Sequence, residues 1–271
     1  MRVLSRSSRA ASAPPKPVIA SPKGKTKVAH KAGVTAFVAA GGLAVSKLAL
    51  HVAHQPGVLP KVLAGAGVLA TIGAGYAASD LITGHIHFGL DHFVNEDTPV
   101  LGNQADEFHY HHHDEKSLER HSLAANVGAT AIPAAPALVG LAMLAPAGVA
   151  AAGLGLLSGF VVTQASHRWS HQDNPNRLIR GLQRAHVLMP PENHDQHHSG
   201  KWNDYFCVVN GMFNPILSKT GYWRKLESGL EKVTGKQANW KDPSYFETPS
   251  SPPKGWLKAG ERPAARGTKA E

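Results

Sequence analysis

The chain has one cysteine, Cys207, in 271 residues. A lone thiol excludes an intramolecular disulfide framework and a metal site built from thiolates. Negative charge is missing from the N-terminal part, where no acidic residue precedes Asp80. Ten basic side chains come before it: Arg2, Arg6, Arg9, Lys16, Lys23, Lys25, Lys27, Lys31, Lys47 and Lys61. Of the 28 Lys and Arg residues, 18 are then left to face 19 Asp and Glu, so the rest of the chain is nearly neutral. The formal charge of +9 is a basic tail and not a basic face, which argues against a nucleic-acid partner. Charge of either sign is absent from Ser122 to Ser166, 45 residues that also lack histidine. No Rossmann fingerprint for a bound dinucleotide is present.

The mean hydropathy of −0.20 looks soluble, but polar tails dilute strongly apolar segments. As a single helix, the uncharged run would reach about 68 Å, roughly twice the hydrocarbon thickness of a bilayer. Asn126, Pro133, Pro136 and the stretch from Pro146 to Gly148 are expected to break it into a hairpin of two spans, 123–144 and 148–166. Two earlier spans are expected at 33–52 and 62–82, with Lys47 near enough to an end to snorkel. Small residues dominate all four, as in "GAGVLATIGAGYAAS", and allow close helix approach within or between chains, so a homo-oligomer is admitted. The expected organisation is all-α: a basic tail or targeting segment over 1–32, a membrane-embedded domain over 33–232 and a polar tail over 233–271. Four spans put both tails and the 83–121 segment on one side. That side carries nearly all the Lys and Arg, which makes it cytosolic or its organellar equivalent. A bacterial inner membrane, the endoplasmic reticulum and an organellar membrane all fit. The stretch 176–190 places Leu178, Leu182, Ala185 and Met189 on one face and Arg177, Arg180 and Arg184 on the other, as an interfacial helix would.

Against these scarcities stands histidine. Fourteen of seventeen fall between His85 and His198, four of them inside "EFHYHHHDE" at His109, His111, His112 and His113. His167 and His171 are spaced i,i+4 on the continuation of the fourth span; His194, His197 and His198 share one helical face; His87 and Asp91 are i,i+4 after the second span. A tetrahedral zinc needs four ligands, whereas at least eight candidates from four places are enough for two ions. Iron, zinc and copper all suit imidazole nitrogen. His30, His51 and His54 read as ordinary surface histidines, and His85, His92, His121 and His186 as neighbours of the site or unrelated to it. Asp91 is expected to orient a ligand histidine, the commoner role of a carboxylate beside a metal. Spacing alone selects His109, His112 and His113 from the crowded run.

The stretches "SDLITGHIHFGLDHF", "FHYHHHDEKSLERH", "SHRWSH", "LQRAHVLMPPENHDQHH", "YFCVVNGMFNPIL" and "GYWRKLE" occur in that order. In that combination the chain resembles the lipid desaturase family of plasmanylethanolamine desaturase, the Kua-type membrane proteins. The family also includes bacterial light-response relatives and a plastid fatty acid desaturase. The resemblance covers about residues 78 to 232 apart from the apolar hairpin. It implies a four-helix membrane desaturase with two non-haem irons on the cytosolic side, dioxygen as co-substrate and an external electron donor. The family's motif histidines fall on His87, His111, His112, His167, His171, His194, His197 and His198, and Asp91 and His186 match family positions. The family register, Phe108 followed by His111, His112 and Asp114, overrides the spacing argument and makes His109 and His113 extras. Glu115 stands where the family usually has proline, and Ala185 where an aromatic is common; these departures touch local shape and lipid choice.

The resemblance therefore implies oxygen-dependent desaturation of a lipid chain, with Asp91 and Asp114 orienting ligand imidazoles. Arg120-His121 and "GYWRKLE" are nearer to the plasmanylethanolamine desaturases, which implies formation of the 1'-2' double bond in the O-alkyl chain of an ether phospholipid. An acyl-lipid desaturase or a hydroxylase would use the same ligands. A zinc-stabilised membrane scaffold or signalling adaptor is the alternative of another class. With no bound dinucleotide, electrons are expected from a cytochrome b5-like or ferredoxin-like protein.

Overall fold

The computed structural model describes residues 27–247, so most of the expected basic tail and the end of the C-terminal tail lie outside the described residues. Among the described residues every element is a helix. Four are long and apolar enough to cross a membrane: α1 (Val28–Ala53), α2 (Val58–His92), α4 (Leu123–Leu144) and α5 (Ala147–Ser170). The all-α expectation is met. The shorter elements are α3 (Gly102–His113), α6 (Arg177–Arg184), α7 (Pro191–His198), α8 (Asn214–Lys219) and α9 (Tyr222–Thr234), with 3-10 turns at Glu115–Arg120, Asn239–Lys241 and Pro243–Phe246.

The expected span 123–144 coincides with α4, while α2 runs well past its expected span of 62–82. Asn126, Pro133 and Pro136 do not interrupt α4, which is continuous to Leu144. In lipid an unbroken helix is the cheapest way to keep backbone groups bonded, so a proline costs its own bond but not the helix. The chain turns only at Ala145, whose extended conformation (ψ 155°) suits a residue preceding proline. Helix α2 does not end near residue 82 but runs on to His92, about 52 Å in all. Its polar last turns are buried by protein, not lipid, so polarity there gives no reason to stop. That extension carries His87 and Asp91 clear of the apolar half of the bundle.

The bundle consists of two antiparallel hairpins, α1–α2 and α4–α5, lying side by side in the same orientation. Helix α1 runs along α4, with Gly33 against Ile132 and Lys47 donating to the Ala145 carbonyl, and α2 runs along α5. The α2–α5 contact is made by backbone. A Cβ on Gly75 would overlap the Ala152 carbonyl, and one on Gly155 would overlap that of Ile72. Gly155 and Gly159, four apart, are the small-residue pair that such a crossing needs. Outward, Val38, Leu43, Val45, Leu63, Leu69 and Met143 are exposed, a surface that water would not tolerate and lipid requires.

At the opposite end from the two tight turns, Asp80 is fully buried. Its Oδ1 accepts the backbone N–H groups of Val209, Asn210 and Gly211, each at 3.0 Å. This fastens the 206–211 loop over α2. A Cβ on Gly84 would strike Cys207, so the helix and loop are in backbone contact there too. Behind the loop, Phe88, Phe206 and Trp223 form an aromatic core with α9. The α6 segment departs from the amphipathic expectation: it stops at Arg184, and its buried face carries Ile179 and Gln183 while Leu178 is 70% exposed. Met189 is buried, but in the turn that follows the helix.

Candidate metal centre

Four elements bring their histidines together. The last turns of α2 supply His87 and Asp91, α3 supplies His111 and His112, the end of α5 supplies His167 and His171, and α7 supplies His194, His197 and His198. Helical spacing aims His87 with Asp91, His167 with His171 and His194 with His198. The adjacent His111 and His112 diverge, and His197, expected to share a face with His194 and His198, turns to the other set. Pro191 at the first turn of α7 starts that helix. Two donor sets result. One contains His111, His167, His171, His194 and His198; the other contains His87, Asp91, His112 and His197. Within each, one ligand atom per residue lies within 4.8 Å of the others.

Neither set is satisfied by its own hydrogen bonds. In the five-histidine set, Nε2 of His171 is 3.0 Å from Nε2 of His111 and 2.9 Å from that of His194, which is itself 3.0 Å from Nε2 of His198. A ring nitrogen offers one proton or one lone pair, so His171 and His194, each meeting two neighbours, cannot make two well-directed hydrogen bonds. Metal–nitrogen bonds of about 2.1 Å at right angles would place their nitrogens about 3.0 Å apart. In the second set, His87 Nδ1 donates to the Phe206 carbonyl at 3.0 Å and His197 Nδ1 to the Asp204 carbonyl at 2.7 Å. A neutral ring then has only a lone pair at Nε2. Those Nε2 atoms face Asp91 Oδ2 at 3.2 and 3.5 Å, with His112 Nε2 also at 3.2 Å. Lone pairs aimed at a carboxylate repel unless a cation lies between them, so the donors fit a bound metal.

The rings are in the ligating form. Burial, reinforced by neighbouring imidazoles, holds His111, His194 and His198 well below their ordinary pKa, and burial takes His197 to about 3. Burial and then Lys116 take His171 to about 3. For His112 the burial effect outweighs the opposing pull of Asp91. At neutral pH these nitrogens need lose no proton to bind a metal.

Asp91, expected to orient a histidine or to serve as a possible ligand, lies among the donors themselves. The crowded run on α3 divides by helical face. His111 and His112 point into the two sets, whereas His109 stacks on Tyr245 at 4.4 Å and contacts its carbonyl, and His113 packs edge-on against Trp202. Asp114 pairs with Arg120. His121, half-buried and lowered to about 4 by burial, Arg120 and Arg168, lines a small pocket beside His111 and His167. His186 is exposed, with a left-handed φ of 51°, and belongs to neither set.

Several residues escaped sequence reasoning. Trp202 lies flat on His112 at 4.6 Å, in a left-handed conformation (φ 52°), and touches Tyr245 and Phe246. The segment around Asn239 to Phe246, read as polar tail, is tied to the centre: Asn239 donates to the carbonyls of Asp91 and Val94. Glu227 on α9 holds His92 at 3.0 Å and accepts from Trp240. Partial burial opposes its ionisation, but bonds from His92, Trp240 and Lys241 bring Glu227 to about 2. Glu227 closes the stretch "GYWRKLE", which assigns it no role. For the segment beyond residue 238 the sequence signal was the aromatic content of "NWKDPSYF", which no periodicity interprets.

A cavity of about 420 Å³ opens beneath the second set. His87, Phe108, Pro133, Leu157, Phe160 and Val208 line it, mostly with apolar atoms. A smaller space of about 160 Å³, lined by His111, His167, Asn126 and Gln164 among others, touches the first set.

These features define a helical membrane protein whose polar end holds two adjacent histidine-rich donor sets, compatible with metal binding, above an apolar cavity. Residues 76–241 match the lipid desaturase domain, and the chain belongs to that family. It is 33% identical over 174 residues to plasmanylethanolamine desaturase of Myxococcus xanthus, covering 62% of each protein. Over 184 residues it is 28% identical to the chloroplastic fatty acid desaturase 4 of Arabidopsis thaliana, covering 63% of this chain and 54% of the relative. The mouse plasmanylethanolamine desaturase 1 is 27% identical over 194 residues, 66% of this chain and 71% of that protein. The match thus spans less than two thirds of the first two relatives. No solved structure matches the chain significantly.

Proposed function

We propose that this protein is a membrane lipid desaturase with two non-haem irons, acting on the O-alkyl chain of an ether phospholipid. His111, His167, His171, His194 and His198 hold one iron, and His87, Asp91, His112 and His197 hold the other. The observation that carries the reading is that His87 belongs to a donor set and also lines the apolar cavity, so a hydrocarbon chain in that cavity lies against the metal site. The five-nitrogen set exceeds the four ligands of a structural zinc, which favours an ion of higher coordination number.

When bound, the irons would supply the redox chemistry that lets dioxygen withdraw hydrogen from an unactivated carbon pair. The balanced change converts R–CH2–CH2–OR', O2, two electrons and two protons to R–CH=CH–OR' and two waters. The chain's own residues do the rest. Carbonyls of Phe206 and Asp204 fix the tautomers of His87 and His197 so that Nε2 is the ligand, and Asp91 adds negative charge that offsets the metal. The apolar wall of Phe108, Pro133, Leu157 and Phe160 keeps water from the chain. Electrons come from a separate cytochrome b5-like or ferredoxin-like donor. The basic N-terminal residues support a cytosolic position for the centre. The names of the bacterial and mouse relatives support the ether-lipid substrate; that of the Arabidopsis relative favours acyl-lipid desaturation as the second reading.

Lipid analysis of plasmalogen-deficient cells tests the proposal, using the parent chain beside a His197→Ala/His198→Ala variant. Vinyl-ether lipid is expected with the parent alone. New acyl double bonds without vinyl ether would transfer the assignment to the second reading. Stoichiometric zinc with no lipid change in folded protein would reject both in favour of a scaffold.

A further inference from the structure

The two cavities share four lining residues, Gln104, Phe108, Thr130 and Gln164. On one side of this partition the walls are hydrocarbon, including Pro133, Ala134, Leu157 and Phe160. On the other they include Asn126, Glu107 and His121. Two helices carry the same gradient. Along α4, Asn126 and Thr130 give way to Pro133 and Ala134; along α5, Gln164 gives way to Phe160 and Leu157. Each step is three or four residues, so each series runs down one face. Both spaces are mainly apolar, the smaller one less so because polar side chains enter its wall, and both touch the centre: His87 lines the larger space, His111 and His167 the smaller.

Donors stand on both sides of the partition. Asn126 Oδ1 accepts from Arg168 Nη1 at 2.9 Å, which leaves its NH2 group to donate elsewhere. Thr163, one turn below His167 on α5, lines the apolar space with only 6% exposure, and its hydroxyl has no partner among the described residues. An unsatisfied buried hydroxyl is destabilising, and rotation about χ1 exchanges it with the methyl group at the wall. Glutamines beside an apolar space in a membrane helix bundle are costly without a ligand to bond.

We propose that Asn126, Thr163 and Gln164 form a subsite for the oxygen that links the substrate's hydrocarbon chain to its polar part. By holding that acceptor at the partition, they decide which carbons lie against the two donor sets. The tail extends past Phe108 towards Leu157 and Phe160. The carbons next to the linking oxygen cross the boundary between His87 and the pair His111 and His167. The inference rests on the lipid-substrate reading above and adds to it the residues that set the position of oxidation.

Photo-crosslinking tests this without turnover. The full chain, loaded with redox-silent zinc in phosphatidylcholine nanodiscs, is given O-alkyl glycerophospholipids bearing a diazirine next to the ether oxygen or near the tail end. The first probe is expected to label the regions around residues 126–130 and 163–167, and the second around 133–134 and 157–160. Reversed or position-independent labelling would overturn the proposal. Gln164→Leu should reduce head-proximal labelling about ten-fold, the effect of one buried hydrogen bond, and Thr163→Val less, with Thr163→Ser restoring it. Unchanged labelling in both Gln164→Leu and Thr163→Val would also overturn it. The iron-loaded protein separates the two readings. Labelling as expected without any double bond would sink the desaturase assignment and leave the subsite standing. A double bond placed far along the chain would do the reverse.

Discussion

The set of His87, Asp91, His112 and His197 is held before any ion arrives: two rings are fixed through Nδ1 by backbone carbonyls, and a third lies under Trp202. The five-histidine set is held more loosely, with the Glu115 carboxylate 3.9 and 3.8 Å from Nδ1 of His171 and His198. Nδ1 of His111, His167 and His194 has no hydrogen-bond partner among the described residues, and the Nε2 atoms crowd at about 3 Å. The first arrangement is preorganised by the fold, whereas the second is a cluster of buried lone pairs that only a cation reconciles. Apo stability and metal affinity should therefore respond differently in the two sets.

The largest expected effect is at His194, whose nitrogen meets two neighbours. His194→Ala should lower activity by more than about 100-fold and remove about one of two metal equivalents, measured by product formation and elemental analysis of folded protein. Asp91→Asn should cost a similar factor in activity but remove the other equivalent. Loss of the same ion in both variants would mean a single shared site. Next, Asp80→Ala strands three buried amides and should destabilise the fold by about 3 kcal/mol, seen as a lowered unfolding midpoint in detergent. Its metal loss should be confined to the His87 set, through Phe206.

A smaller effect follows from pH. His171 and His197 are held at about 3, below the usual 6.5 or so of a free imidazole. Below that value the unfolded chain takes up protons that the folded chain refuses, so the metal-free protein should lose stability as pH falls from about 6.5 towards 3. Above about 6.5 this contribution is flat. A metal-free midpoint unchanged between pH 7 and 5 would mean the rings are charged when folded. Smallest of all, His109→Ala and His113→Ala should each keep both metals and change activity only a few-fold. Losing a metal in either would erase the division between the two faces of α3.

Much of this was legible beforehand. Histidine spacing on α5 and α7 needs only helical geometry to place His167 with His171 and His194 with His198. On α3 spacing misled, because every face of "HYHHH" carries an imidazole and the choice depends on what packs there. Tyr245 and Trp202 claim His109 and His113, and no local rule joins a segment beyond residue 239 to α3. Polarity marks where α2 leaves its apolar span and not where the helix ends, because Phe206 of the 206–211 loop packs on His87 and Phe88 in its later turns.

Asp80 gives the protein a timetable. The amides that receive its charge lie 129 to 131 residues further along the chain. During synthesis, α2 enters the bilayer carrying a carboxylate whose partners do not yet exist, at a cost of up to about 3 kcal/mol. The second hairpin must be threaded and the following loop delivered before that cost is relieved. A chain halted short of Val209 retains all four apolar helices yet cannot seat α2, and it should be cleared by membrane quality control as an unfinished product.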